Sequence, residues 1–276
     1  MNLTRLVLSF ILISIVCTPG VYSNEISREY KTAPGFVRIV TNMLGYNSAA
    51  KFFAQKSLKR ELRKNIQGKL NIRIDSFSGV DLKKGKFQSL KIKGKELCLD
   101  NELYLSKLCL QTTPGFYYVD YRKNPVVFKT DLPLNYSIII SEDDLNKTME
   151  SNTLLNEISE VIPLVHIDNF KFKLENDKII MFSAFHFPFG KSVRFSVSVR
   201  PKLENGKIIL SDMKTFGAGR EVPEKIVSFL NGLNLAENIK ISILKGVDST
   251  LYVENLLIAD KKISINGVIT IKRHKS

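Results

Sequence analysis

The sequence is poor in the side chains that catalysis and metal binding usually require. It has no tryptophan, and its three histidines, His166, His186 and His274, stand apart from one another and from the cysteines. Metal sites need imidazole, thiolate or carboxylate ligands at short spacing. GxSxG elbows and Walker sequences are also missing. His166 and Asp168 share one face of a predicted strand, but a histidine at the surface is the commoner outcome. We therefore expect no metal, no cofactor and no enzymatic activity.

Long apolar runs are missing after the first residues. The one such run, from Leu6 to Val16, follows Arg5 and is shorter than the roughly 20 residues that a membrane-spanning helix needs. This pattern is typical of a secretory signal peptide, with cleavage after Ser23. Lipid attachment at Cys17 is the alternative. We expect residues 1–23 to be a signal peptide and the protein to be exported to the periplasm or cell envelope.

Few cysteines remain after that leader, namely Cys98 and Cys109. An even number in an exported chain permits a disulfide between neighbouring strands. Leucines flank both positions, and free cysteine packs like a small hydrophobic residue. Two buried thiols are therefore the alternative.

Acidic residues are also scarce: 27 Asp and Glu stand against 41 Lys and Arg, which gives a formal net charge of +14. A charge of this sign favours anionic partners. An exported chain meets anionic lipid headgroups or cell-wall polymers rather than nucleic acid. A contact with an anionic membrane surface is the expectation, and a solvated lysine-rich surface is the alternative.

Residues 24–47 read as a polar leader followed by a short amphipathic helix. Its apolar positions recur at helical spacing and end at Gly45; they are Phe36, Ile39, Val40, Met43 and Leu44. We expect this helix to pack against its own domain, with a membrane surface as the alternative. A second helix is predicted over 48–67, with Phe52, Leu58, Leu62 and Ile66 on one side and basic residues mostly on the other.

After Gly68 the apolar period changes from about 3.6 to 2, the period of a strand with one solvated face. Strands are predicted at 80–93, 95–99, 102–112, 115–121, 124–129, 132–140, 164–175, 178–187, 191–203, 207–213, 238–245, 249–258 and 262–272. Helices are predicted within 142–162 and at 222–231. The pattern indicates an α+β fold built on an antiparallel meander, with residues 48–276 as a single domain.

Hairpins are predicted by two nearly identical sequence segments, KLENDKII at 173–180 and KLENGKII at 202–209. Asn205-Gly206 is a favoured two-residue hairpin turn, and Asn176-Asp177 imitates it. A looser version, LIADKKISI, follows at 257–265.

Several predicted strands are apolar on one face only, and Gly267 falls on such a face, where it leaves room for another group to approach. With few helices to cover this surface, the sheet either closes on itself or curves around a helix and a guest. Both arrangements bury the apolar face. Periodicity alone favours closure on an all-protein core.

The order of features resembles that of the LmeA-like phospholipid-binding family of bacterial envelope proteins. The likeness covers roughly residues 50–272 and is carried by the segments GKFQSLKIKGKELCLDNELYLSKLCLQT, SEDDLN, GLNL and KKISINGVITI. The resemblance implies a tubular lipid-binding type of fold, in which a long curved antiparallel β-sheet forms a half-barrel wrapped around helices. It also implies non-catalytic binding of phospholipid, with a role in lipid shuttling. This chain is richer in lysine, asparagine and isoleucine than the alanine- and valine-rich members of that family.

We therefore expect a lipid-binding protein of the envelope that holds the chains of a phospholipid or other acyl lipid in an apolar cleft. The side chains expected to contact lipid are Phe52, Leu62, Ile138, Phe170, Phe172, Phe195, Val197, Phe229 and Ile241. The alternative is a structural or interaction β-domain that binds a protein or an anionic cell-wall polymer through its basic surface.

Overall fold

A computed structural model describes residues 30–121, 123, 126–150, 166–186, 192–217 and 248–274. The helices in this part of the chain are α1 (Gly35–Met43), α2 (Tyr46–Leu62), α3 (Gly79–Lys83) and α4 (Glu142–Met149). The strands are β1 (Ile66–Asp75), β2 (Lys86–Phe87), β3 (Ser89–Leu99), β4 (Leu103–Thr112), β5 (Tyr117–Asp120), β6 (Val127–Phe128), β7 (Leu132–Ser141), β8 (His166–Glu175), β9 (Lys178–His186), β10 (Ser192–Glu204), β11 (Lys207–Gly217), β12 (Ser249–Ala259) and β13 (Lys262–Ile271). All of these strands pair antiparallel, which confirms the α+β class.

The largest sheet has six strands in the order β1-β3-β4-β7-β13-β12. Because side chains alternate between the two faces of a strand, its apolar positions line up in rows. One row crosses the whole sheet through Ile72, Ile92, Leu110, Tyr136, Gly267 and Val253. The face that carries this row is the main wall of the core.

A second sheet has four strands in the order β11-β10-β9-β8, and a small third sheet joins β2, β5 and β6. The four-stranded sheet contributes one apolar face to the core of the six-stranded sheet, through Leu174, Ile179, Met181, Val197 and Val199. Helix α2 packs beside β1, while α4 lies between β4 and β8. The buried apolar residues thus form one continuous cluster.

The hairpin turns have the predicted geometry. Both central residues have positive φ at Asn176-Asp177 (44° and 65°) and at Asn205-Gly206 (51° and 73°). This is the signature of the tight turn whose twist matches that of the flanking strands. Asp260-Lys261, in the looser third repeat, has the same signs, with φ of 50° and 57°. The interpretation of the repeated words as hairpins is confirmed.

Two predicted boundaries are wrong. Residues 80–83, predicted as strand, belong to α3, because the Ser78 hydroxyl accepts a hydrogen bond from the Asp81 backbone and caps a short helix there. Helix α2 ends at Leu62, and Ile66 already begins β1. The segments predicted as helix at 222–231, as strand at 238–245 and as the second half of 142–162 lie outside the described residues, as does the signal peptide.

The structure contradicts the disulfide: Cys98 and Cys109 are both free. In the β3–β4 pairing, Cys98 stands opposite Tyr104 and Cys109 opposite Lys93. Five residues of strand therefore separate the two cysteines, about 16 Å at roughly 3.3 Å per residue, whereas a disulfide needs Cα atoms within about 7 Å. The alternative of buried thiols fits Cys98, while Cys109 is half-buried.

The space above Gly267 is filled by the protein itself. A Cβ atom at this position would lie 2.1 Å from the Tyr252 carbonyl oxygen and 2.9 Å from the Tyr136 hydroxyl. The group that approaches Gly267 is therefore a neighbouring strand and a tyrosine ring. The expectation that this glycine leaves room is right, but its occupant is internal.

We predict that Gly267→Ala lowers the free energy of unfolding by about 1–3 kcal/mol, the usual cost of overpacking, because backbone atoms line the space. Gly35→Ala is the matched control, since a Cβ there meets nothing within 4 Å. Urea denaturation followed by circular dichroism measures both. Equal stability of the two variants would contradict the packing described for Gly267.

Candidate functional site

The residues expected to contact lipid do not all lie together. Leu62, Ile138 and Val197 are buried in the common core, and Phe172 is half-buried against it. The side-chain amide of Asn146 in α4 makes two hydrogen bonds to the Phe172 backbone. Its Oδ1 accepts from the Phe172 nitrogen at 2.6 Å, and its Nδ2 donates to the Phe172 carbonyl oxygen at 3.2 Å. These four residues come from α2 and both large sheets, so the structure brings them to one interior.

Phe52 is not part of this interior, and its assignment to the apolar side of α2 is wrong. Its side chain is 60% exposed, whereas Leu58 is buried. Six residues at 3.6 per turn place Phe52 about 120° around the helix from Leu58, so the two cannot share one face. The side chains of Phe170 and Phe195, and all of Phe229 and Ile241, lie outside the described residues.

The apolar face of the four-stranded sheet is covered unevenly. On β10, Val197 and Val199 are buried, but the same face continues to β11 through residues that are only half-buried against the core. We call these residues, together with the exposed Leu203 near the end of β10, the β11 margin: Leu203, Ile208, Leu210 and Met213. Leu203, which pairs with Ile208, is 36% exposed. Because β11 is the last strand of this sheet, no described strand pairs with its outer edge.

Tyr136 places a hydroxyl group on the mainly apolar core face of the six-stranded sheet. Tyr136 is buried, and in the described part of the chain its hydroxyl has no hydrogen-bond partner. Burial, with a smaller contribution from the Glu254 charge, raises the pKa of Tyr136 to about 12. A buried donor without a partner costs about 1–3 kcal/mol. This hydroxyl can bind a polar atom that reaches the core.

The opposite face of the six-stranded sheet is strongly basic. We call the basic side chains on this face of its first three strands the lysine face: Lys69, Arg73, Lys91, Lys93, Lys95 and Lys107. Lys91 is half-buried and the others are exposed. Lys69 stands directly opposite Lys95, which stands opposite Lys107. Like charges opposite one another destabilise a sheet, so folding does not explain this arrangement.

Two acids reduce the positive charge of the lysine face. The Glu96 carboxylate accepts a hydrogen bond from Lys69 Nζ at 2.7 Å, which lowers the pKa of that carboxyl. Arg73 is 3.3 Å from the Asp75 carboxylate. Lys93, Lys95 and Lys107 keep the surface positive beyond these two pairs.

Within the described ranges, no group of three or more histidine, cysteine or acidic residues could hold a metal ion. None of the helices described is both long and apolar enough to cross a membrane. The side chains of His166 and Asp168 are not among those described, so their pairing is not addressed.

Comparisons with known proteins give no relative for the chain. No protein-family model matches it, and no curated protein or solved structure matches it either.

We predict that Tyr136→Phe leaves the free energy of unfolding unchanged or raises it, because it removes a hydroxyl without a partner. The phenol of Tyr136 ionises near pH 10 in the unfolded chain but only near pH 12 in the folded protein. The free energy of unfolding of the parent protein should therefore fall as pH rises from about 10 to about 12. Between pH 9 and pH 11, about 1 kcal/mol of this loss should vanish in the variant. Urea denaturation at pH 9 to 11 measures the difference; an equal slope in both proteins would contradict the burial of this phenol.

Proposed function

We propose that this protein is a non-catalytic lipid-binding protein of the bacterial cell envelope. It holds the acyl chains of a phospholipid or related lipid against the apolar face shared by the two large sheets, and shuttles lipid in this form. The β11 margin carries the proposal, because there the core face runs on into side chains that the described protein covers only in part. An acyl chain lying along the margin would complete that cover.

The magnitudes support acyl chains as the main source of affinity. Burial gains about 0.8 kcal/mol per methylene, so a sixteen-carbon chain represents a gross gain of roughly 13 kcal/mol before ordering costs. A basic residue near anionic lipid contributes only about 1 kcal/mol. The apolar face would thus set the affinity, while the lysines would mainly guide docking.

We further propose that the sheets form a half-barrel that wraps around helices. The contact of β12 with β8, β10 and β11 supports it, because the edge of the six-stranded sheet there meets the four-stranded sheet. Helix α4 lies between β4 and β8 and fills part of the space that such a curve encloses. The Tyr136 hydroxyl supplies one polar contact on the inner wall.

The test is lipid retention. Purified protein is extracted with organic solvent, and its lipids are measured by mass spectrometry relative to protein. We predict lipid in near-stoichiometric amount in the parent, and at least about tenfold less in Leu210→Glu, since a charge on the β11 margin opposes burial of an acyl chain.

Ile209→Glu is the matched control, because the neighbouring side chain points to the opposite face of β11 and is 41% exposed. This variant should keep the parent amount. Far-UV circular dichroism and urea denaturation check that both variants are folded. A folded parent without lipid, or equal retention by the two variants, would refute an acyl-chain site at the margin.

The lysine face favours a second candidate, an interaction β-domain that binds a protein or an anionic cell-wall polymer. This second candidate predicts that binding to the protein or polymer weakens steeply with salt. It also predicts that Lys93→Glu/Lys107→Glu abolishes this binding, whereas Leu210→Glu leaves it unchanged. Binding of purified cell-wall polymer at two salt concentrations separates the two candidates.

A further inference from the structure

Helix α1 is amphipathic, but its apolar side faces solvent. Phe36 is 77% exposed, Ile39 60% and Met43 83%, and α1 buries none of its residues. These positions share one side, because residues three, four and seven apart lie together on a helix. The expectation that this side packs against the domain is therefore wrong.

The side of α1 that faces the protein carries Arg38 and Thr41 together with the half-buried Val37 and Val40. Arg38 Nε donates to the Ala33 carbonyl oxygen at 2.8 Å and lies 3.9 Å from the Asp81 carboxylate, while the guanidinium stands over the Phe77 ring at 5.8 Å. Asn42 accepts from Asn47 of α2 at 3.5 Å. Arg38 thus fixes one side of the helix against the protein, and this orientation leaves Phe36, Ile39 and Met43 exposed.

Helix α2 extends the same type of surface. Phe52 and Phe53 are exposed next to each other, with ring centroids 5.7 Å apart. They lie away from the side that α2 buries through Leu58 and Leu62. We call Phe36, Ile39, Met43, Phe52 and Phe53 together the helix surface.

Basic residues border these aromatic rings. Lys56 Nζ lies 5.9 Å from the Phe52 ring centroid, and Lys59, Arg60 and Arg63 follow along the outer side of α2. Residues 35–64 contain seven basic residues and one acid, a net charge of +6. That acid, Glu61, is buried and 2.5 Å from Lys64, so it adds little negative charge to the surface.

We propose that the helix surface docks the protein on a bilayer that contains anionic lipid. Helices that lie in the membrane interface combine exposed aromatic and aliphatic residues on one side with lysine and arginine beside them. The long basic side chains can reach the headgroups while the rings enter the acyl boundary. A second copy of this chain would bring like charges together, and a neutral apolar partner would leave the basic border without counter-charges. The docking surface is separate from the β11 margin and stands without an acyl-chain site.

The test uses the purified chain, with its N-terminus determined by mass spectrometry, and sedimentation with vesicles. One set of vesicles is pure phosphatidylcholine, and the other is a mixture with phosphatidylglycerol. We expect binding to the mixed vesicles, with a partition coefficient reduced at least about tenfold in Phe36→Ser/Ile39→Ser/Met43→Ser. The control Ile209→Ser/Phe216→Ser/Leu257→Ser removes three exposed apolar side chains from the sheets and should bind like the parent.

A charge experiment separates the helix surface from the lysine face. Lys56→Glu/Arg63→Glu should weaken binding to the mixed vesicles about tenfold, and Lys93→Glu/Lys107→Glu should leave it nearly unchanged. Circular dichroism shows whether each variant is folded.

Loss of binding with the lysine-face variant alone would overturn the proposal and move the contact to the sheet. No binding by the parent would also overturn it, as would a parent dimer in light scattering that the α1 variant abolishes, since that result assigns the helix surface to self-association. Lipid extraction is a separate readout, so a failed acyl-chain site leaves these outcomes interpretable.

Discussion

The buried Asp81 carboxylate determines how the N-terminal helices are presented. It is 1% exposed, accepts hydrogen bonds from the Ala33 nitrogen at 2.7 Å and the Ser78 hydroxyl at 2.6 Å, and faces Arg38. A carboxylate at this depth needs donors and a cation. Arg38 is the one basic residue of α1, so its pairing with Asp81 turns the Arg38 side of that helix inward. The exposure of Phe36 and Met43 is the consequence of one electrostatic requirement rather than of loose packing.

The sheets obey a different constraint, which is alternation. Each strand places one apolar face on the common core and the other toward solvent, and this works where a second layer exists. Val197 has such a layer and is buried, whereas Leu210 on the next strand has only part of one. The solvated face of the six-stranded sheet is free to carry charge, and it carries opposed lysines at a cost in stability. The alternating pattern of the strands thus produces both the apolar core face and, on the opposite side of the sheet, the lysine face.

Sequence reasoning predicted what depends on local period and turn chemistry. Most strands, the Asn-Gly type hairpins and the capped start of α4 at Ser141 follow from residues close in sequence, and the structure confirms them. Contacts between residues that are distant in sequence could not be predicted in this way. The inward orientation of Arg38 depends on Asp81, 43 residues later by the numbering, and the separation of Cys98 from Cys109 depends on the β3–β4 register. Phe52 lies about 120° around α2 from Leu58, so it falls outside the apolar side although its spacing is close to helical. The lipid ligand and the half-barrel shape remain predictions.

The apolar and basic parts of the helix surface would act at different stages of docking. Charges act over about a Debye length, roughly 10 Å at moderate salt, so Lys56 and Arg63 would attract the protein before any contact forms. Apolar side chains contribute only once they leave water, at about 25 cal/mol per Å² of buried surface, and so Phe36 and Met43 would slow departure. Added salt should then slow association strongly and speed release only slightly. A surface that binds through its lysines alone, such as the lysine face, has no apolar component to keep release slow once salt weakens the charge attraction.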